Sequence, residues 1–441
     1  MNYKKYIPAF LMIVTLFLTG CKSERGGAAP TVWITSDVHY LSSRLSDGGE
    51  AYQSYMNAPD GKQLKYSNPL MDAFVYQIKK AKPDLLIISG DLTNNGEKYS
   101  HEDLADKLHN IQKSGTHVLV IPGNHDISNP WARSFKEEKQ YLADTVDENE
   151  FRKIYDDYGY QDAVSRDETT LSYLSAPFED LWFLMIDSNK YKNNMTLGFP
   201  ETNGVLSKST LEWMKKCSGL AKEKGATLIT VMHHNMLHHS DLLQEGFTLD
   251  NQGQVLPRLK EDNINLVFSG HIHIQDISSD QKGDVPFYDV ASGAFSVYPH
   301  QYGVLTLNRT QNQLNYHTSL LDVETWARKK HKKDANLLNF SSYDRDYFGN
   351  LSYQRTLRNL AGETQFSEEE IREMAQTMKI LNLRYFAGTE KLNEQDVLSS
   401  RGYELLTRLS DNFTMVYAKS IVTDQDTDDN RLIIQLPVRK E

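Results

Sequence analysis

Six short runs of apolar and β-branched residues set the limits on this fold: TVWITS (31–36), DLLIIS (84–89), HVLVIP (117–122), LWFLMI (181–186), ATLITVM (226–232) and INLVFS (264–269). Each is too short for a buried helix, which leaves a strand covered on both faces. Amphipathic stretches separate several of them. One has Asn68 as its expected N-cap, Pro69 at the first helical position, and Leu70, Phe74, Ile78 and Ala81 on one face. Two others fall near 101–113 and 207–224. Strands alternating with helices predict an α/β fold with a largely parallel component. Two later runs, PFYDVAS and YGVLTLN, follow each other without a helix. A sandwich of two sheets flanked by helices accommodates both patterns.

From Leu321 to about Val422 helical periodicity takes over, with Ser367 and Glu370 as a capping box and Gly388 as a helix stop. The run RLIIQLP (431–437) reads as a strand returning to a sheet. The start of the chain is different in kind: Lys4 and Lys5 precede an apolar run from Ile7 to Leu18, short of the roughly 20 residues a membrane span needs. That pattern is an export signal. The LTGC that follows resembles the lipobox of bacterial lipoproteins, which implies that Cys21 becomes a lipidated N-terminus. The expected organisation is a signal peptide over 1–20, a flexible tether over 21–30, a catalytic unit over 31–320 and a mainly helical unit over 321–441. The expected location is outside the cell, lipid-anchored to the outer face of the bacterial cytoplasmic membrane.

Cys217 is the only other cysteine. It shares helical spacing with Leu211, Met214 and Ala221, which marks a packing residue rather than a nucleophile. The formal charge of -11 argues against a nucleic-acid polymer as partner, because phosphate neutralisation requires an excess of Lys and Arg.

The chemistry gathers at the strand ends, where ligands of open α/β sheets collect. TVWITS is followed by Asp37-Val38-His39, DLLIIS by Gly90-Asp91, and HVLVIP by Gly123-Asn124-His125-Asp126. ATLITVM is followed by His233-His234, and INLVFS by Gly270-His271-Ile272-His273. Turns account for Asp, Asn and Gly, but turns do not require histidine. In extended backbone, residues i and i+2 point to one side, so His271 and His273 are expected to face a common ligand or two neighbouring ones. Oxygen and imidazole donors in this number suit borderline divalent metals. They exceed what one ion uses while keeping open positions, so two ions fit better.

Asp-x-His, Gly-Asp, Gly-Asn-His-Asp, His and Gly-His-x-His, in that order and each after a strand, resemble the calcineurin-like metallophosphoesterases, with the last three blocks most like the class III cyclic nucleotide phosphodiesterases. The resemblance covers residues 31 to about 320. It implies a four-layer αββα sandwich, with the helical region appended, and two divalent ions, Mn or Fe with Zn as a further candidate. It implies that Asp37, His39, Asp91 and His273 hold the first ion, that Asp91 bridges, and that Asn124, His233 and His271 complete the second. His233 is favoured over His234, which is expected behind the ligands or facing substrate. His125 resembles the proton donor or transition-state stabiliser, with Asp126 behind it. The activity so implied is hydrolysis of small phosphodiesters, cyclic nucleotides among them, by a hydroxide bridging the ions. The alternatives are an exported phosphomonoesterase or nucleotidase, and a non-catalytic binding lipoprotein. Two departures stand out: GDLTNNGE lacks the Asp-Arg pair of the protein phosphatases, and Asn235 stands where relatives commonly have proline. Asn94 and Asn95 read as loop residues, and His238 and His239 either line the site or are solvent-exposed loop histidines.

Overall fold

A computed structural model describes residues 29–57, 61–283, 285–410, 412–423 and 428–436. The signal-peptide, Cys21 and most of the tether assignments lie outside the described residues. All six apolar runs form strands. The first sheet has the spatial order Arg431–Gln435, Gln313–Leu320, Gln301–Asn308, Thr31–Thr35, Leu85–Ser89 and His117–Ile121. The last three run parallel, and the other three join antiparallel. The second sheet runs Asp276–Asp280, Phe287–Ala291, Leu266–Ser269, Thr227–Met232, Leu181–Ile186, Tyr173–Ser175 and Ser165–Arg166, with a parallel centre.

Alternation along the strands explains the layering. In Leu181–Ile186, Leu181, Phe183 and Met185 face the core between the sheets, while Trp182, Leu184 and Ile186 face outward. The outward set packs under the helices Lys208–Glu223 and Gln252–Glu261 through Trp213, Met214, Cys217, Val255 and Leu259. Cys217 is a fully buried packing residue. On the far side, Ser67–Ala81 and Lys98–Gln112 cover the first sheet with Leu70, Phe74, Ile78, Leu104 and Leu108. Each such side chain, once buried, contributes about 1.5–3 kcal/mol. The result is helix, sheet, sheet, helix.

One local expectation is corrected. The helix expected to start after Asn68 begins at Ser67, so Pro69 is its third residue. Asn68 is not its cap; its side chain accepts from the Tyr40 hydroxyl, and Ser67 Oγ accepts from the Leu41 amide at 3.0 Å. The C-terminal region is helical, with Phe340–Asn359, Glu368–Phe386, Arg401–Thr407 and Phe413–Val422 as its main elements and the capping box of Ser367 and Glu370 formed. As expected, the run at 431–435 returns to a sheet: Arg431–Gln435 becomes the edge strand of the first sheet.

The helical region also reaches the strand-end loops. Met374, Met378, Leu381 and Leu405 form one buried cluster with Ile272 and Ile274. Those isoleucines alternate with His271 and His273, so apolar burial on the helical side fixes the loop that bears the histidines. Tyr385 adds a hydrogen bond to the carbonyl of His239 at 3.3 Å.

Candidate metal centre

Five strand ends meet at one place, and their donors fall into two groups that share a member. Asp37, His39, Asp91 and His273 offer atoms all within 4.8 Å of one another, as do Asp91, His233 and His271. Asp91 divides its oxygens between them. Its Oδ2 lies 3.6 Å from His39 Nε2, and its Oδ1 lies 3.4 Å from His233 Nε2. Asn124 joins the second group, with Oδ1 3.1 Å from His233 Nε2.

The backbone makes this possible at a cost. Asp37, His39, Asp91, His271 and His273 all sit at positive φ, between 44° and 70°, where non-glycine residues are strained by roughly 1–3 kcal/mol each. His271 and His273 therefore do not project from extended backbone as expected; they lie in left-handed conformation and go to different groups. Gly123 and Gly270 are more than turn residues. A Cβ on Gly123 would collide with the amide and carboxylate of Asp91, and one on Gly270 with Ser36.

Neighbouring hydrogen bonds orient each imidazole. His233 Nδ1 donates to the Ser89 carbonyl at 3.0 Å, which turns Nε2 toward Asp91. His271 Nε2 donates to the Gly246 carbonyl at 2.8 Å, leaving Nδ1 for the centre. His234 is buried with both ring nitrogens engaged, by Ser188 Oγ at 2.8 Å and the Thr202 carbonyl at 2.9 Å. It stands behind the centre. Asp126 ties two loops together, accepting from the amides of Leu92, Thr93 and Gly123 at 2.8–3.0 Å. Asn235 holds Ser269 Oγ at 2.9 Å and the Gly270 carbonyl at 3.0 Å.

His125 stands at the open side. Its Nδ1 donates to the Asn94 carbonyl at 2.8 Å and faces Asn95 Oδ1 at 3.1 Å, aiming Nε2 to within 4.0 Å of Asp91 Oδ2. Asn94 and Asn95 thus do more than form a loop: the Tyr55 hydroxyl accepts from both amides, at 2.8 and 3.0 Å. His239, expected to line the site or to stand in solvent, is buried elsewhere between Asp276 and Asp289. Lys62 escaped sequence reasoning because no motif marks it.

The electrostatics show what this donor set lacks. His39 Nε2 and His273 Nε2 face each other at 3.2 Å. Asp37 Oδ1, fully buried, makes no hydrogen bond of good geometry, and Asn124 Nδ2 has none. Burial, then the charge of Lys62, holds His39 well below the usual imidazole range. Burial and His233 push His271 down to about 4. Burial works against ionisation of Asp91, but His233 and His125 bring its carboxyl well below the ordinary range. Burial opposes a proton on His233, and Asp91 outweighs it, lifting the group to about 9. Lone pairs of neutral imidazoles and ionised carboxylates converge with too few protons to share. Divalent cations at these two positions fit the residues present, replacing the His233 proton.

Comparison with known proteins agrees with the motifs. Residues 30–275, more than half of the chain, match the family described as Calcineurin-like phosphoesterase. Residues 322–428 match the C-terminal domain of cyclic nucleotide phosphodiesterase. No curated protein matches. Among solved structures, a dimetal phosphatase from Danio rerio is similar at 14% identity and a TM-score of 0.43, covering 66% of this chain and 95% of its own. GAP50, the anchor in the inner membrane complex of Plasmodium, is similar at 11% identity and a TM-score of 0.37, covering 67% and 85%.

Proposed function

This chain belongs to the calcineurin-like phosphoesterase family, and on that premise we propose that it hydrolyses small phosphodiesters, cyclic nucleotides among them, while anchored outside the cell by lipid on Cys21. Its family makes it a metal-dependent phosphoester hydrolase. The observation that carries the finer reading is Asp91, whose two oxygens serve two donor groups at 3.6 and 3.4 Å. The match of residues 322–428 to a cyclic nucleotide phosphodiesterase domain supports the substrate class.

Asp37, His39, Asp91 and His273 would hold one ion, and Asp91, Asn124, His233 and His271 the other, with Mn or Fe the best match to mixed imidazole and oxygen donors. When bound, a pair of divalent ions generates a nucleophile from water near neutral pH and offsets phosphoryl charge. The rest falls to side chains. His125, aimed by Asn94 and Asn95, presents Nε2 to the open side, where it would protonate the leaving alkoxide in its imidazolium form or stabilise it as a hydrogen-bond partner. Burial, with Lys62 as a further contributor, lowers the proton affinities of His39 and His125, and the nearby positive charge of Lys62 favours an anionic substrate. Asp126 and His234 keep the loops in register.

The test is hydrolysis of bis-p-nitrophenyl phosphate beside p-nitrophenyl phosphate, after chelation and after Mn is restored. Mn-dependent preference for the diester is expected. A monoester preference would replace this reading with a nucleotidase, and inactivity with every divalent metal would leave a binding lipoprotein. For the anchor, Cys21→Ser should abolish lipid labelling; unchanged labelling sinks it.

A further inference from the structure

The chain has a formal charge of -11, yet one surface is basic. Arg328, Lys329, Lys330, His331, Lys332 and Lys333 run through the end of the helix Val323–Lys330, and all are exposed. Lys65 faces this run across an open cleft of about 850 Å³ whose other walls include Tyr66 and Asn336. Among the described residues, Lys65, Lys330, Lys332 and Lys333 have no carboxylate within ion-pair distance. The acids beside them in sequence are engaged with backbone: Asp334 accepts from the amides of Asn336 and Leu337 at 3.0 and 3.1 Å, and Glu324 accepts from the Ser341 amide at 2.7 Å. Arg328, Lys329 and Lys330 suit the helix's C-terminal dipole, but Lys332 and Lys333 lie beyond it, and like charges so concentrated repel one another.

The base beneath these charges is firm. Lys329 Nζ sits 4.8 Å from the Tyr76 ring centre. Tyr66, itself buried, is held by Asn336 Nδ2 at 2.9 Å and packs against Phe340 and Tyr343. Five lysines line the cleft against one carboxylate, Asp334, and such a basic surface is complementary to phosphate groups. We propose that this cleft docks the protein on an anionic bilayer, with lipid headgroup phosphates lying against Lys65 and the 328–333 run. Two features favour a bilayer over a nucleic acid. The charge is a compact patch from the 328–333 run and Lys65 rather than a groove tracking a polymer, and its aromatic residue, Tyr66, is buried rather than offered for base stacking. A polybasic patch is also one of the paired signals that keep lipidated chains on a membrane. In this respect the inference rests on the anchored reading above. Lys62 lies in the same loop as Lys65 and acts electrostatically on His39 and His125, so docking would seat that loop at the lipid surface.

The experiment is sedimentation of the full chain with phosphatidylcholine vesicles, with and without phosphatidylglycerol, at low and high salt. Binding to phosphatidylcholine alone reports the N-terminal anchor; the increment from phosphatidylglycerol reports the patch, so the two can fail separately. The increment should fade at high salt. The triple variant K330A/K332A/K333A should lower it by roughly 100-fold, the share of three lysines near an anionic surface, while keeping Mn-dependent hydrolysis. An increment that is absent, or that is unchanged in the triple variant, overturns the proposal. So does tighter binding to a single-stranded oligonucleotide than to phosphatidylglycerol vesicles, or displacement from vesicles by inorganic phosphate at unchanged ionic strength, which would indicate a small-anion site.

Discussion

Two buried groups of histidine and aspartate draw on the same two loops and behave in opposite ways. The metal centre takes His233 and His271 with His273; the second group takes His239 and Asp276, a few residues further along each loop, together with Asp289. In the second group one imidazole sits between two carboxylates, Nδ1 on Asp276 and Nε2 3.1 Å from Asp289. Burial opposes its proton, yet Asp289 and Asp276 raise it to about 10, so His239 sits as a cation between two carboxylates, one of which, Asp276, also lies beside Glu390 and Asp429. In the metal centre the same residue types leave two Nε2 atoms confronting each other at 3.2 Å and Asp37 Oδ1 without a hydrogen bond. Composition therefore does not separate a lock from a metal site. The ratio of lone pairs to shareable protons does.

The sharpest way to break this contrast is Asp91→Ala. It removes the member common to both donor groups, so bound metal should fall from two ions to one or none and hydrolysis by roughly 1,000-fold or more. Metal analysis beside turnover checks it; a variant still loaded with two ions would show that Asp91 does not bridge. His125→Ala comes next. It leaves every proposed ligand in place, so metal content should hold while turnover drops by about 100- to 10,000-fold. Loss of metal in that variant would place His125 among the ligands instead.

His239→Ala tests the other side. It strands Asp276 and Asp289 in the interior, which should cost about 3–5 kcal/mol of stability, read as a lower Tm, while the folded fraction keeps its metal. Loss of metal at unchanged Tm would show that the two groups are one site.

Such a distinction was only partly legible in the sequence. The donors were readable because each closes a strand, and strand ends of an α/β sheet meet in space. His239 was not, since a histidine six residues past a ligand gives no sign of turning into the site or away from it. The partners that decide this, Asp276 and Asp289, lie on strands whose positions depend on sheet order. The same limit hid the last strand's partner: RLIIQ alternates as a strand should, but its pairing with Gln313–Leu320 skips the whole helical region. Asn68 and Pro69 formed a plausible helix start, yet tertiary hydrogen bonds from Tyr40 and Leu41 moved it back to Ser67. The positive φ of five donors also left no local signal: Asp and His visit that region more often than most side chains, yet nothing in the sequence marks which of them do.

The smallest expected effect separates charged from neutral burial by pH. His239 is raised to about 10 by Asp289 and Asp276 against burial. Its contribution to stability is thus complete below the unfolded value near 6.5 and is lost as pH rises toward 10. His101 has the opposite sign. Burial pushes it down to about 4, where it bonds the Asp126 carbonyl through Nε2 and the Tyr155 hydroxyl through Nδ1, both at 2.9 Å. Its contribution is complete above about 6.5 and is lost as pH falls through 4. Between pH 7 and 9 the stability gap between the native chain and His239→Ala should therefore narrow, by at most about 1.4 kcal/mol per pH unit. Denaturant unfolding at several pH values measures that gap. A constant gap would mean that His239 is held neutral, and the lock would then rest on hydrogen bonding rather than on charge.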